Sequence, residues 1–235
     1  MGTLIFDIET IGEDFETFDE TTKKALTRWI REDSLSEEEY RTAIDDVKNS
    51  LGFSPLTGSI VAIGMLDVER GKSAVYFQAP GVAEESFEEG SITYKPMDEA
   101  SMLREFWRVA EQYETFVTFN GRGFDVPFLS IRSAVHRVRG TRDLLSNRYL
   151  SLQRGVKHVD LLDQLTFYGA TRRRPSLHLC CRAFHIETPK SHGIDGDHVA
   201  QFFQEKRFRD IARYNARDIV ATAELYRLWS DYIRF

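Results

Sequence analysis

At 235 residues, with 42% hydrophobic and 29% charged residues, the chain has an ordinary globular composition and the length for one substantial domain plus an insertion. No apolar run approaches the roughly 18–20 residues of a membrane helix, and the N-terminus carries no secretory pattern, so neither a membrane nor an exported protein is expected. The formal charge of −6 conceals an asymmetry: residues 13–50 carry twelve acids against six Lys/Arg, and residues 132–182 carry eleven Lys/Arg against three acids. A basic half of this kind suits a phosphate backbone running along one face, and equally a solvated helix surface.

In chain order, LIFDIET (4–10) is a strand of the central, buried type, rich in Leu4, Ile5, Phe6 and Ile8. Residues 17–31 and 36–50 are two amphipathic helices, the second opened by the capping-box pattern Ser36–Glu39. TGSIVAIGMLDVERGKSAVYFQAP is strand, turn, strand, with Arg70-Gly71-Lys72 at the turn. Residues 81–97 are an irregular acidic connection, and Met97 to Gln112 is a helix by the spacing of Met102, Leu103, Phe106, Trp107 and Ala110. TFVTFN (115–120) is a short strand, followed by a helix from Asp125 to Arg139. KHVDLLDQL is a strand running into a helix, SLHLCCRAF a helix, KSHGIDGDHV a loop, and 207–232 the last long helix. The two cysteines, Cys180 and Cys181, are adjacent, which suits neither a disulfide framework nor a CxxC site; helix packing in a reducing cytoplasm is expected. A strand hairpin followed by alternating helices and strands implies a mixed α/β sheet covered by helices.

Three acidic stretches stand out. Side chains alternate along a strand, so Asp7 and Glu9 share a face. Two desolvated like charges oppose folding unless a cation lies between them, and hard ions such as Mg²⁺ or Mn²⁺ favour carboxylate oxygens. An edge strand with its acids in water accounts for the pattern equally well. NGRGFDVPFL (120–129) places Asp125 at a strand-to-helix turn, where a helix N-terminus alone explains an aspartate. In that stretch Asn120 ends a strand, and Gly121 and Gly123 permit close backbone approach. In YNARDIVATAEL (214–225), Ile211, Tyr214, Asp218, Thr222 and Leu225 share one helix face, so Asp218 interrupts a core-directed stripe. An ion pair with Arg217 would satisfy it as a structural acid. The six histidines show no zinc-ligand spacing.

FDIET, NGRGFD and YNARD, in this order, resemble the three motifs of the DEDD superfamily of 3′–5′ exonucleases, and the tyrosine four residues before the last aspartate resembles its DEDDy branch. The chain looks most similar to stand-alone exonuclease domains like the proofreading domain of family B DNA polymerases; PKSHGIDGDHV and HVDLLD also resemble that subgroup. The resemblance implies one exonuclease domain over 1–235 with a ribonuclease H-like mixed five-stranded sheet flanked by helices. The helical insertion at about 13–54, after the first strand, has no counterpart in the family pattern.

Carried onto this sequence, the resemblance makes Asp7, Glu9, Asp125 and Asp218 the ligands of two divalent metal ions and Tyr214 the residue that orients the attacking water. The implied reaction removes nucleoside monophosphates from the 3′ end of single-stranded nucleic acid, with DNA the expected polymer, by two-metal-ion hydrolysis; the residues themselves leave the choice between DNA and RNA open. For the substrate, Thr10 and Ile11 lie next to the first motif, Asn120 and Phe124 in the second, and Arg172, Arg173, Arg174 and Lys190 are candidate phosphate contacts, each equally explained as surface charge. A protein partner is compatible with the pattern, and none is indicated. Two rivals remain: a catalytically weak nucleic-acid-binding or scaffolding module on the same fold, and an endonuclease or resolvase.

Overall fold

The computed structural model describes residues 2–30, 36–188 and 198–234. Its centre is β1 (Thr3–Gly12), where Leu4, Ile5, Phe6 and Ile8 are all buried, so the strand is covered on both faces. β1 pairs antiparallel with β2 (Gly58–Asp67), which turns through Gly71, at φ +62°, into antiparallel β3 (Lys72–Phe77). On its other side β1 pairs parallel with β6 (Thr115–Thr118), which in turn pairs parallel with β7 (Lys157–Asp160).

The described sheet has seven strands rather than the expected five. The segment read as an irregular connection contains β4 (Phe87–Glu89) and β5 (Ile92–Pro96), giving the order β4-β5-β3-β2-β1-β6-β7. Strands of three and five residues carry too little alternation to be seen in a sequence. They form because β5 finds β3 as a parallel partner and Phe87 stacks on Tyr94 with ring centroids 4.5 Å apart.

Helices cover both faces. On one, α3 (Glu99–Ala110) and α4 (Asp125–Val135) pack Phe106 and Phe128 against Phe6 and Phe116. The expected extension of α4 to Arg139 does not occur, because Arg137 takes the left-handed conformation at φ +56°. Glu99 ties this layer together: its carboxylate accepts from Arg132 Nε and Nη2 (2.9 and 2.8 Å) and from the Ile60 N–H (2.8 Å), with His136 Nε2 2.7 Å away. On the opposite face lie α6 (Leu177–Ala183), α7 (Val199–Gln204) and the long α8 (Phe208–Tyr232); α5 (Leu161–Leu165) directly follows β7. Cys180 and Cys181 are buried free thiols in α6, as expected. Among the described residues no helix is long and apolar enough to cross a membrane.

Among its described residues the insertion contains a 3₁₀ turn at Phe15–Thr17, α1 (Glu20–Thr27), capped by Asp19, α2 (Glu37–Ser50), opened by the expected Ser36–Glu39 capping box, and a further 3₁₀ turn, Leu51–Phe53. The first expected helix, 17–31, is thus shorter at both ends, stopping at Thr27, and position 31 lies outside the described residues. Phe15, Val47 and Leu51 form a small core of the insertion's own.

Candidate active site

Asp7 and Glu9 point to the same side of β1 as Ile5, the side packed by α8. Between Glu9 and Thr10 the pairing with β2 slips by one residue, leaving Val61 as the extra residue of a bulge, which re-aims the strand end beside the two acids. The β1–β6 pairing stops at Ile5↔Val117. Beyond it the Ile8 N–H has no strand partner, and the Asp125 carboxylate accepts from it at 3.1 Å. From the other side α8 presents Ile211, Tyr214, Asp218, Thr222 and Leu225, all buried on the one face expected of them. One carboxylate oxygen each from Asp7, Glu9 and Asp218 lie within 4.8 Å of one another. Asp125 stands beside this trio rather than within it.

Burial is the first cause, and mutual repulsion the second, of acid pKa values far from the ordinary range. Asp7 and Glu9 are both pushed well up, Asp7 by desolvation and then by Asp125 and Asp218, Glu9 by desolvation and then by Asp218. Asp125, 3% exposed, is raised to about 7, mainly by burial. Burial, and then the neighbouring charges of Asp218, Glu9 and Asp7, hold the Tyr214 phenol neutral one helical turn from Asp218. Charges so arranged oppose folding until a cation joins them, and an all-oxygen donor set of converging carboxylates fits a hard divalent cation. Among the described residues, no histidine or cysteine belongs to a metal-competent group. Arg217 lies with its guanidinium carbon 5.8 Å from the centre of the Tyr214 ring.

Asp125 is aimed by the turn before it. Asn120 adopts φ +64°, a conformation asparagine tolerates. A side chain at Gly121 would collide with Thr118, so only glycine lets the turn close. The turn is held by a residue that sequence reasoning passed over, Asp160. Its buried carboxylate accepts from the N–H groups of Asn120 (2.9 Å) and Arg122 (2.9 Å), and caps α5 through Leu162 (3.0 Å). Asn215 was missed as well. Fully buried, it donates its side-chain amide to Asp7 (2.8 Å) and, at 3.5 Å, to Glu9, and its Oδ1 has no partner. Opposite Asp7 in β2 is Gly64, where any Cβ would overlap Asn215 Oδ1. A glycine inside the apolar run SIVAIGML was the available signal, since such a residue marks a close approach of another element.

The expected substrate residues divide. Thr10 and Ile11 follow the acids along β1, and the Thr10 hydroxyl donates to the Gly52 carbonyl (2.7 Å) of the insertion. Phe124 is half-buried between Phe128 and Phe53, with ring centroids 5.4 and 6.5 Å away. Arg174 reaches Asn120 Oδ1 at 3.3 Å, and Asn120, Arg174, Leu162 and Ser176 line an open groove of about 410 Å³. Arg172 and Arg173 are exposed on the adjoining bend, and Lys190 lies outside the described residues.

A mixed sheet whose central strand brings two acids against a third from a long crossing helix defines an α/β protein with a carboxylate-centred site. Residues 59–233 match the family described as predicted 3′–5′ exonucleases related to the exonuclease domain of PolB, and the chain belongs to that family. The match begins after β1, so Asp7, Glu9 and the helical insertion lie outside it. In fold the chain is similar to the family B DNA polymerase of the hyperthermophilic archaeon Pyrobaculum calidifontis, with a TM-score of 0.57 at 18% identity over 97% of this chain. The chain spans about a quarter (24%) of that polymerase's length. No curated protein matches it.

Proposed function

We propose that the chain is a metal-dependent 3′–5′ exonuclease of the DEDDy type, removing nucleoside monophosphates from the 3′ end of single-stranded nucleic acid, with DNA as the preferred polymer. The observation that carries this reading is the convergence of Asp7, Glu9 and Asp218 oxygens within 4.8 Å, in a family of predicted exonucleases, with Tyr214 buried one helical turn before Asp218. Asp7, Glu9 and Asp218 would hold divalent cations, Mg²⁺ or Mn²⁺, with Asp125 completing the set. When bound, two such ions supply a nucleophile from water at neutral pH and neutralise charge on the departing 3′-oxygen. Tyr214, kept neutral by burial and the surrounding acids, offers its hydroxyl to position the attacking water. Asn215 holds the Asp7 carboxylate in place, and Asp160 holds the turn from which Asp125 projects. Water adds to phosphorus in line with the P–O3′ bond, which breaks to give a nucleoside 5′-monophosphate and a strand with a new 3′-hydroxyl. Thr10, Ile11, Asn120, Phe124 and the Arg172–Arg174 bend would flank the strand end, with Lys190 a further phosphate contact.

In this reading the exonuclease domain extends over residues 1–235 with the insertion at 13–54 as an addition to the family core. Its working place is the cytoplasm, in keeping with two buried free thiols. The test is degradation of 5′-labelled single-stranded DNA and RNA in Mg²⁺ or Mn²⁺, with Asp7→Ala as control. A ladder shortening from the 3′ end, lost in the variant, supports the proposal and reports the sugar preference. Cleavage of a circular strand would refute it in favour of an endonuclease. Strand binding without any ladder would leave a binding module.

A further inference from the structure

The insertion ends against the site. Leu51 is buried in the insertion's own core, and the backbone of the 51–53 turn packs on the end of β1 so tightly that a Cβ on Gly12 would stand 2.6 Å from Leu51 Cβ. A Cβ on Gly52 would stand 3.0 Å from the Gly12 nitrogen. The Thr10 hydroxyl donates to the Gly52 carbonyl (2.7 Å), and the Thr57 hydroxyl to that of Leu51 (2.8 Å). Phe53 is therefore carried on an anchored turn, one residue from the atom that Thr10 grips. Its side chain is nevertheless 66% exposed. Its ring meets that of Phe124 edge to face, at 62° and 6.5 Å between centroids, and Phe124 immediately precedes Asp125.

The anchored turn holds this ring in water against Phe124, the residue before Asp125, and a bare phosphate has nothing to gain from an apolar ring there. A nucleobase does gain, since it offers a flat apolar face independent of sequence. The two rings meet next to the residue that precedes Val126 in α4, Asp125, one supplied by the insertion and one by the second motif.

We propose that Phe53, supplied by the insertion, forms with Phe124 an aromatic platform on which a base at the 3′ end of the substrate strand stacks. This rests on the exonuclease reading and adds to it a positioning residue outside the part of the chain that matches the family. In an Asp7→Asn background, where the strand is not consumed, single-stranded oligonucleotides ending in 2-aminopurine are titrated against Phe53, Phe53→Ala, Phe53→Leu and Phe53→Trp chains. Phe53→Ala should weaken binding about 5- to 150-fold, the range corresponding to stacking of one base, and abolish quenching of the terminal fluorophore. Leucine, which keeps apolar bulk without a π-face, should restore little, and tryptophan most of the affinity. An abasic 3′ end should weaken binding to the Phe53 chain by the same factor and to the Phe53→Ala chain hardly at all. Unchanged thermal midpoints would certify the fold, as Phe53 is surface-exposed.

Equal binding of intact and abasic ends by all four chains would overturn the platform, and leucine matching phenylalanine would overturn stacking in favour of plain apolar contact. Should the platform fail while the chain with Asp7 intact still degrades strands from the 3′ end, the exonuclease reading survives alone. A chain that neither binds nor degrades a strand refutes both.

Discussion

Gly64→Ala offers the sharpest check on how the site is held. The added Cβ overlaps Asn215 Oδ1 and stands 3.1 Å from Ile219 Cγ2, so Asn215 must move, and with it the hydrogen bond to Asp7. Forcing a methyl into a close-packed interior costs about 1–3 kcal/mol. Against this, alanine is favoured over glycine in a strand by roughly 0.5–1 kcal/mol. Asn215→Ala by itself loses a hydrogen bond to a carboxylate, about 1.5–3 kcal/mol, but removes a buried carbonyl oxygen that has no partner. In the double variant the clash with Oδ1 is gone and only the Ile219 contact needs to give by a few tenths of an ångström. The two changes should thus be non-additive, the double variant being about 1–3 kcal/mol more stable than the sum of the singles. Urea unfolding of the four chains at pH 8 in EDTA measures this, and calorimetric titration with Mn²⁺ reports whether each still binds metal. Additivity within about 0.5 kcal/mol would show that Asn215 and Gly64 do not share the space at Asp7, and would refute the reasoning.

Three further outcomes are expected. Asp125 ionises at about 7 in the folded, metal-free chain against about 3.8 when unfolded, so its charge costs nothing below pH 3.8, accrues between pH 4 and 7, and reaches about 4 kcal/mol at pH 8. Asp125→Asn keeps an acceptor for the Ile8 N–H, so in EDTA it should be more stable than the parent at pH 8 and no more stable at pH 4; a pH-independent difference by chemical denaturation contradicts this. Glu99→Ala strands buried Arg132 and should cost about 3–5 kcal/mol at pH 7. Because Glu99 is held below its usual pKa, the stability it supplies is present above about pH 4.5 and fades as pH falls below it, so parent and variant should converge in acid in the same unfolding series. Asp160→Asn loses part of a three-way acceptor, which should lower the thermal midpoint and, by loosening the turn before Asp125, slow strand degradation at saturating substrate; an unchanged rate would detach Asp160 from the site.

Several features lay open in the amino-acid sequence because they are local. The apolar run of β1 and its period of two put Asp7 and Glu9 on one face, the helical spacing put Tyr214 and Asp218 on another, and Ser36 with Glu39 marked the start of a helix. Each follows from backbone geometry within a few residues, and each stands in the structure as the pattern implied. Other features depended on neighbours distant in the chain. β4 and β5 exist through β3, Asn215 matters through Asp7 some two hundred residues away, and Asp160 through the turn at Asn120. That the insertion would bring Phe53 to Phe124, rather than stand clear as a separate acidic lobe, follows from two glycine backbones meeting at Gly12 and Gly52. Periodicity carries the direction in which a side chain points. Only packing decides what it meets there, because close approach and hydrogen bonding across elements are set by the sum of many contacts and leave almost no trace in the local order of residues.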